Sequence, residues 1–202
     1  ITEKGSMAWM SPNMQMETHG GGLGRMFSKA FSGESMFQNH YTAKGGPGMI
    51  AFTSSFPGNI QVLNITPGHE MIVQKSAFLA SEAGVELSIH FQKRLGAGFF
   101  GGEGFILQKL TGSGMAFLEV DGDMVQVDLA PGEVLKVDTG NVVAFTPSTS
   151  YEIETIKGFG NILVGGEGLF LTQLVGPGRV FLQTMNYAEF VGQIASALPS
   201  RG

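Results

Sequence analysis

The sequence has 202 residues, of which 43% are apolar, 14% are charged and 31 are glycines, so it is too apolar for a disordered chain and too rich in turn formers for a mainly helical one. Its net charge of −5 disfavours binding to DNA, RNA or anionic lipid. The absence of cysteine excludes disulfides, thiolate metal sites and a cysteine nucleophile, and no apolar run reaches the roughly 20 residues of a membrane helix.

Short segments in which apolar and polar residues alternate follow one another along the chain, bounded by Gly, Pro, Asn or Asp. This period of two predicts half-buried β-strands rather than helices. The predicted strands cover residues 7–10, 14–18, 71–73, 77–79, 85–89, 125–129, 134–137, 142–145 and 151–154. The close spacing of the turn signals favours a sandwich or barrel over a β-α-β sheet.

The C-terminal segment follows a different pattern. Asn186 with Glu189 three residues later is typical of a helix start with a capping interaction. The apolar residues that follow recur at helical spacing; they are Tyr187, Phe190, Val191, Ile194, Ala197 and Leu198. We therefore predict an amphipathic helix that closes the fold.

The sequence repeats itself at a displacement of 64 residues. The segment GGEGF at 101–105 recurs as GGEGL at 165–169, GSG at 112–114 recurs as GPG at 176–178, and PG at 67–68 recurs at 131–132. A weaker copy near the start contains Gly33-Glu34 and GPG at 46–48. A repeat of this length indicates supersecondary units that complete their cores against one another.

From this repeat we predict an all-β fold of three homologous units in a pseudo-threefold arrangement, with a C-terminal α-helix. Residues 1–202 are expected to form one integrated domain. Its predicted parts are unit one at 1–60, unit two at 61–124, unit three at 125–185, and the helix and tail at 186–202. Unit one is expected to be incomplete, because the Pro-Gly turn that precedes the first strand of the later units has no counterpart before Ile1.

The segment GAGFFG at 96–101 matches the GxGxxG pattern of dinucleotide-binding folds. That pattern requires a following helix whose N-terminus receives the pyrophosphate. Here the next residues, 105–110, have the pattern of a strand that enters a hairpin. We interpret the segment as a loop and predict no cofactor.

The four histidines, His19, His40, His69 and His90, are interpreted as isolated surface or turn residues. A metal site on a β-scaffold needs ligands that converge from adjacent strands, and the sequence contains no His-x-His pair. His69 lies in PGHE at 67–70, which matches half of a cupin metal motif, but its repeat mate is Glu133. No metal site is predicted.

Three acidic residues, Glu34, Glu103 and Glu167, recur in register. Around a threefold axis they could bind a cation or share a proton. The alternative is that each carboxylate accepts hydrogen bonds from neighbouring glycine N–H groups and fixes its loop. We favour this second interpretation, because a residue present in every copy serves the unit. No serine has a histidine and an acid placed to activate it, so no catalytic residue is predicted.

The segments before each Gly-Glu pair, 20–32, 91–100 and 156–164, combine basic and aromatic residues and are predicted to be loops or short helical turns. Such residues can stack on bases or dip into a membrane surface, or the rings can pack into the core while the cations stay solvated. If the units are related by rotation, these loops meet at one rim and form a partner-binding surface. The candidate interaction residues are Arg25, Phe27, Lys29, Phe31, Glu34, Lys93, Arg94, Phe99, Phe100, Glu103, Lys157, Phe159 and Glu167.

Several longer motifs carry a resemblance to a known family. They are EKGSMAWMS at 3–11, MQMET at 14–18, GESMF at 33–37, FLAS at 78–81 with GVEL at 84–87, FGGEGF at 100–105 and GPGRVFLQT at 176–184. In this order they closely resemble the altered inheritance of mitochondria protein 24 family, over essentially the whole chain. The resemblance implies β-sandwich or shortened double-stranded β-helix units, a fold classed with the tryptophan RNA-binding attenuation protein. It also implies a loose link to mitochondrial inner-membrane organisation in eukaryotic members.

The resemblance carries no catalytic residues to this chain. We expect a non-enzymatic structural or protein-interaction module of the bacterial cytoplasm, which binds a protein partner or itself and binds no DNA. One alternative is a small-molecule or metal-binding β-barrel. RNA binding is a second alternative by fold analogy, and the net charge of −5 opposes it.

Overall fold

Antiparallel β-strands form most of the structure, as the alternating pattern predicts, and the predicted all-β class with a C-terminal helix is confirmed. The computed structural model describes residues 1–2, 5–19, 38–93, 104–155 and 170–198. No helix within these ranges is long and apolar enough to cross a membrane.

Three groups of strands follow one another in the chain, and we refer to them as the first, second and third repeats. The first repeat contains β1 (Met7–Met10), β2 (Met14–His19), β3 (Gln38–Ala43) and β4 (Ile50–Phe52). The second contains β5 (Gly58–Ile65), β6 (Met71–Gln74), β7 (Phe78–Ser81), β8 (Val85–Lys93), β9 (Phe105–Gly112) and β10 (Gly114–Asp121). The third contains β11 (Met124–Leu129), β12 (Val134–Asp138), β13 (Val142–Phe145), β14 (Ser150–Thr155), β15 (Phe170–Val175) and β16 (Gly178–Gln183), and α1 (Tyr187–Ala197) follows.

The second and third repeats share one strand order and one pairing scheme. In the second repeat β10 pairs with β5 and β7, and β9 pairs with β6 and β8. In the third, β16 pairs with β11 and β13, and β15 pairs with β12 and β14. Each of these strands lies about one 64-residue step from its counterpart, so the repeat seen in the sequence is a repeat of structure. The threefold arrangement of all three repeats stays a prediction.

Pairing between β6 and β13 joins the second repeat to the third. Ala144 lies opposite Val73, and Phe145 lies opposite Ile72. The result is a six-stranded sheet in the order β11-β16-β13-β6-β9-β8.

Both hydrophobic cores contain residues of two repeats. The first packs Ile65, Leu110 and Leu118 of the second repeat with Val143, Ala144 and Phe181 of the third. The second packs Phe145, Leu174 and Val180 of the third repeat with Ile72, Phe105 and Leu107 of the second. Burial of apolar surface in these clusters therefore stabilises both repeats together.

A single hydrogen-bonding motif marks the turn after β1, β7 and β13. In each case the turn residue makes two hydrogen bonds to one partner residue at or just before the start of the neighbouring strand. The backbone N–H of the turn residue donates to the carbonyl of the partner, and the side-chain oxygen of the turn residue accepts the backbone N–H of the partner. The pairs are Ser11 with Met49, Glu82 with Met115, and Thr146 with Arg179. A polar side chain at this position thus satisfies a backbone group at the start of the hairpin strand.

The recurring glycine motif before β10 has a steric cause at Gly112. Its φ is +87°, which an L side chain rarely adopts. A Cβ at this position would also collide with the carbonyl oxygen of Gly84 on the facing turn. Glycine is therefore required where the two turns touch.

We predict that Phe145→Ala lowers the free energy of unfolding by about 3–5 kcal/mol, because the ring is fully buried in the joint between the repeats. Val134→Ala is the control, since Val134 on β12 is 52% exposed and its truncation should cost less than about 0.5 kcal/mol. Urea denaturation measures both. A loss below about 1 kcal/mol for Phe145→Ala would contradict the packing described.

Candidate functional site

Most of the residues predicted to form an interaction rim fall outside the described residues. They are Arg25, Phe27, Lys29, Phe31, Glu34, Arg94, Phe99, Phe100, Glu103, Lys157, Phe159 and Glu167, and the GAGFFG segment lies there too. The loop predicted at 91–100 is wrong for Lys93, because this residue ends β8 and pairs with Phe105, while its part in an interaction surface stays a prediction. Strand β8 extends this far because β9 continues opposite it.

A different candidate surface is provided by helix α1, which is attached through its first turn. The ring of Phe56 contacts Tyr187 edge-on at 5.7 Å and Phe190 at 5.1 Å between ring centroids. Glu189 in the first turn is favourable at the positive end of the helix dipole. The helix predicted from residue 186 onward is therefore confirmed, and one aromatic cluster holds its N-terminal end.

One apolar face of α1 is left in solvent. The side chains of Tyr187, Val191, Ile194 and Leu198 are between 42% and 64% exposed. The spacing of four and three residues places Tyr187, Val191 and Ile194 on one side of the helix, and Leu198 follows four residues later, directly after the last helical residue. An amphipathic helix normally turns such a face to the core, so this face is a candidate docking surface.

A second exposed apolar patch lies on the first repeat. Trp9 on β1 pairs with Ala51 on β4, and Met49 precedes Ala51 by two residues and so shares its face. Trp9 and Met49 are 58% and 61% exposed. The corresponding cross-strand pairs in the other repeats are Ala80 with Phe117 and Ala144 with Phe181. The aromatic residue of the pair therefore lies on β1 in the first repeat, whereas it lies on β10 and β16, the counterparts of β4, in the other two.

The segment that leads into α1 is tied to the hairpin between β10 and β11. The backbone N–H of Asp121 donates to Gln183 Oε1 at 3.0 Å, and its carbonyl accepts the Met185 N–H at 3.1 Å. Burial, with a further contribution from the charge of Glu119, raises the pKa of the Asp121 carboxyl to about 6. The half-buried carboxyl group of Asp121 therefore lies next to the segment that connects β16 to α1.

The description of the histidines as isolated is wrong for His19 and His40. The register of β2 and β3 places Glu17 opposite His40, and the rings of His19 and His40 come within 4.2 Å between centroids. Burial and the nearby His19 lower the pKa of His40. Within the described ranges, no group of three or more acidic or histidine side chains is arranged to hold a metal ion.

Comparisons with known proteins identify similar chains. The sequence model of the family described as Mitochondrial biogenesis AIM24 matches residues 1–185 and ends before α1 begins. An uncharacterised protein of Streptococcus pyogenes serotype M6 is 28% identical, with 98% of this chain and 82% of the relative covered. A crystal structure of a Streptococcus pyogenes protein has a TM-score of 0.78 and 25% identity, covering 98% of this chain and 88% of the other.

The raised pKa of Asp121 predicts a pH-dependent stability. Because the folded state holds this proton more tightly than the unfolded state, whose pKa is near 3.8, the carboxyl makes the protein less stable as pH rises from about 4 to about 6. At pH 7, Asp121→Asn is expected to stabilise the fold by on the order of 1 kcal/mol, after allowance for solvent screening. Urea denaturation of both proteins across this pH range provides the test. A stability difference that stays constant with pH would contradict the prediction.

Proposed function

The chain belongs to the Mitochondrial biogenesis AIM24 family, and from that membership we propose that it is a non-enzymatic structural or protein-interaction module. The proposal includes the integrated domain of residues 1–202 and a fold of the attenuation-protein type. Support for one domain comes from the cores that the second and third repeats share. The proposal also includes a bacterial cytoplasmic location, of which the bacterial source is supported by similar proteins from Streptococcus pyogenes.

The exposed apolar face of α1 is the observation that carries the proposal. Three large apolar side chains in solvent on one face of α1, with Leu198 directly after its end, cost free energy in a monomer. Tyr187 contacts Phe56, and the helix continues past Phe190, the last ring of this aromatic cluster, for seven residues, to Ala197. A partner that covers Val191, Ile194 and Leu198 would remove that cost.

Self-association fits this face better than a dissimilar partner does. The spacing of four, three and four is the seam spacing of paired helices, in which each apolar residue inserts between residues of a matching face. The same face on a second copy supplies that match in an isologous dimer. An 11-residue helix offers little area, so the dimer belongs to the weak class below about 1,200 Å² of buried surface.

We predict that the protein self-associates with a dissociation constant in the range of about 1 µM to 1 mM, measured by sedimentation equilibrium over a concentration series. The double variant Val191→Lys with Ile194→Lys should be monomeric throughout, because it places charges in the apolar seam. The matched control, Gln193→Lys with Ser196→Lys, adds the same charge to the polar face of the same helix and should associate like the parent.

Two results would overturn the proposal for this face. One is a parent protein that stays monomeric at the highest concentration. The other is equal loss of association in the control variant, which would assign the effect to net charge. Circular dichroism of each variant establishes that α1 is still helical.

A further inference from the structure

We propose that a cleft between the second and third repeats binds a small monocarboxylate with an aliphatic tail. The cleft has a volume of about 750 Å³. Small-molecule sites range from about 300 to 1,000 Å³, so the space fits a ligand of that size. This inference goes beyond the proposed interaction role and does not depend on it, because the cleft residues are separate from α1.

The cleft has an apolar floor. Leu63 and Met71 of the second repeat and Leu129 and Phe181 of the third line it. Met71, Leu129 and Phe181 belong to the two hydrophobic cores and Leu63 packs against the first, so the floor is fixed by packing and is already formed without a ligand. An aliphatic chain that covers this floor removes apolar surface from water on both sides.

The rim of the cleft carries hydrogen-bond donors. Arg179 uses its Nε to hold Asp128 Oδ1 at 2.7 Å, which leaves the two terminal nitrogens of the guanidinium for a second acceptor. His69 Nδ1 contacts the Thr66 hydroxyl at 3.2 Å, so its Nε2 is the ring nitrogen available to a ligand. A planar carboxylate matches the fork of an arginine in a bidentate pair, and its single charge suits a site with an apolar floor.

Ion pairing at the rim leaves hydrogen-bond donors of a cation rather than unpaired carboxylates. The two acidic residues that line the cleft, Asp128 and Glu70, already form ion pairs with Arg179 and Lys109. The hydrogen bond from Arg179 lowers the pKa of Asp128, so that carboxylate stays ionised beside the guanidinium. Both carboxylates of the lining are therefore paired, Glu70 with a lysine that lies outside the lining, while the terminal N–H groups of Arg179 remain as donors for an acceptor on the ligand.

Asp128, Arg179 and His69 differ from the residues at the corresponding positions of the other repeat. One step of 64 residues earlier, Asp128 corresponds to Asn64 and Arg179 corresponds to Met115, while His69 corresponds to Glu133 one step later. The backbone contact to the preceding turn is the same for Met115 and Arg179, so the fold does not require an arginine here. Residues that depart from the repeat are free to serve one site, and all three of these line the same cleft or its rim.

Isothermal titration calorimetry with sodium decanoate, below its micelle concentration, tests the proposal on the whole chain. Decanol and decyltrimethylammonium have the same tail with a neutral and a cationic head. We expect saturable binding of decanoate at one site, and binding at least about tenfold weaker for both other probes and for Arg179→Gln. Lys136→Gln is the matched control, because Lys136 is equally exposed at 50%, forms an ion pair with Glu154 and lies outside the cleft.

Amide chemical shifts on titration locate the ligand, with the expected changes at His69, Thr146 and Arg179. Binding should persist in the double lysine variant of α1, which separates this site from the helix face. The proposal is overturned if decanoate does not bind, if Arg179→Gln binds as the parent does, if the cationic probe binds more tightly, or if the shifts map to α1.

Discussion

The pairing of β6 with β13 is the contact on which the rest of the fold depends. A β-sheet face that carries apolar side chains must be buried against another element. At this joint Val73 and Ile72 pair with Ala144 and Phe145, and all four side chains are buried. Two sets of strands then share one sheet and exchange core residues, so neither set has a complete core without the other.

Both candidate surfaces follow from how this joint places the repeats. The cleft lies where the turn after β5 faces the ends of β11 and β16, so its floor is part of the shared cores. Helix α1 follows β16 directly and is held by the hairpin after β10 and by Phe56. The apolar floor is rigid and partly covered, whereas the helix face is open. The cleft therefore suits a small ligand, and the helix face suits a second protein chain.

Local patterns in the sequence predicted α1 and ten of the described strands, because alternation and helical spacing are set by which side chains face the core. They gave no bounds for β3, β4, β5, β10, β15 and β16. Strand partners depend on contacts between distant residues, so the pairing of β6 with β13 and the approach of His19 to His40 were not predictable. The 64-residue repeat led us to discount the residues common to the copies, and this interpretation stays a prediction because Glu34, Glu103 and Glu167 lie outside the described residues. It could also have pointed to Asp128 and Arg179, which break the repeat, but their meeting in one cleft needs the register of β11 and β16.

Native-state hydrogen exchange at the joint tests the central claim most directly. If the pairing of β6 with β13 makes the second and third repeats one cooperative unit, the amides of β6, β9, β13 and β16 will exchange with one common free energy, equal to that of global unfolding. Two separate free energies, one for β9 and another for β16, would show that the repeats unfold independently and would contradict the account.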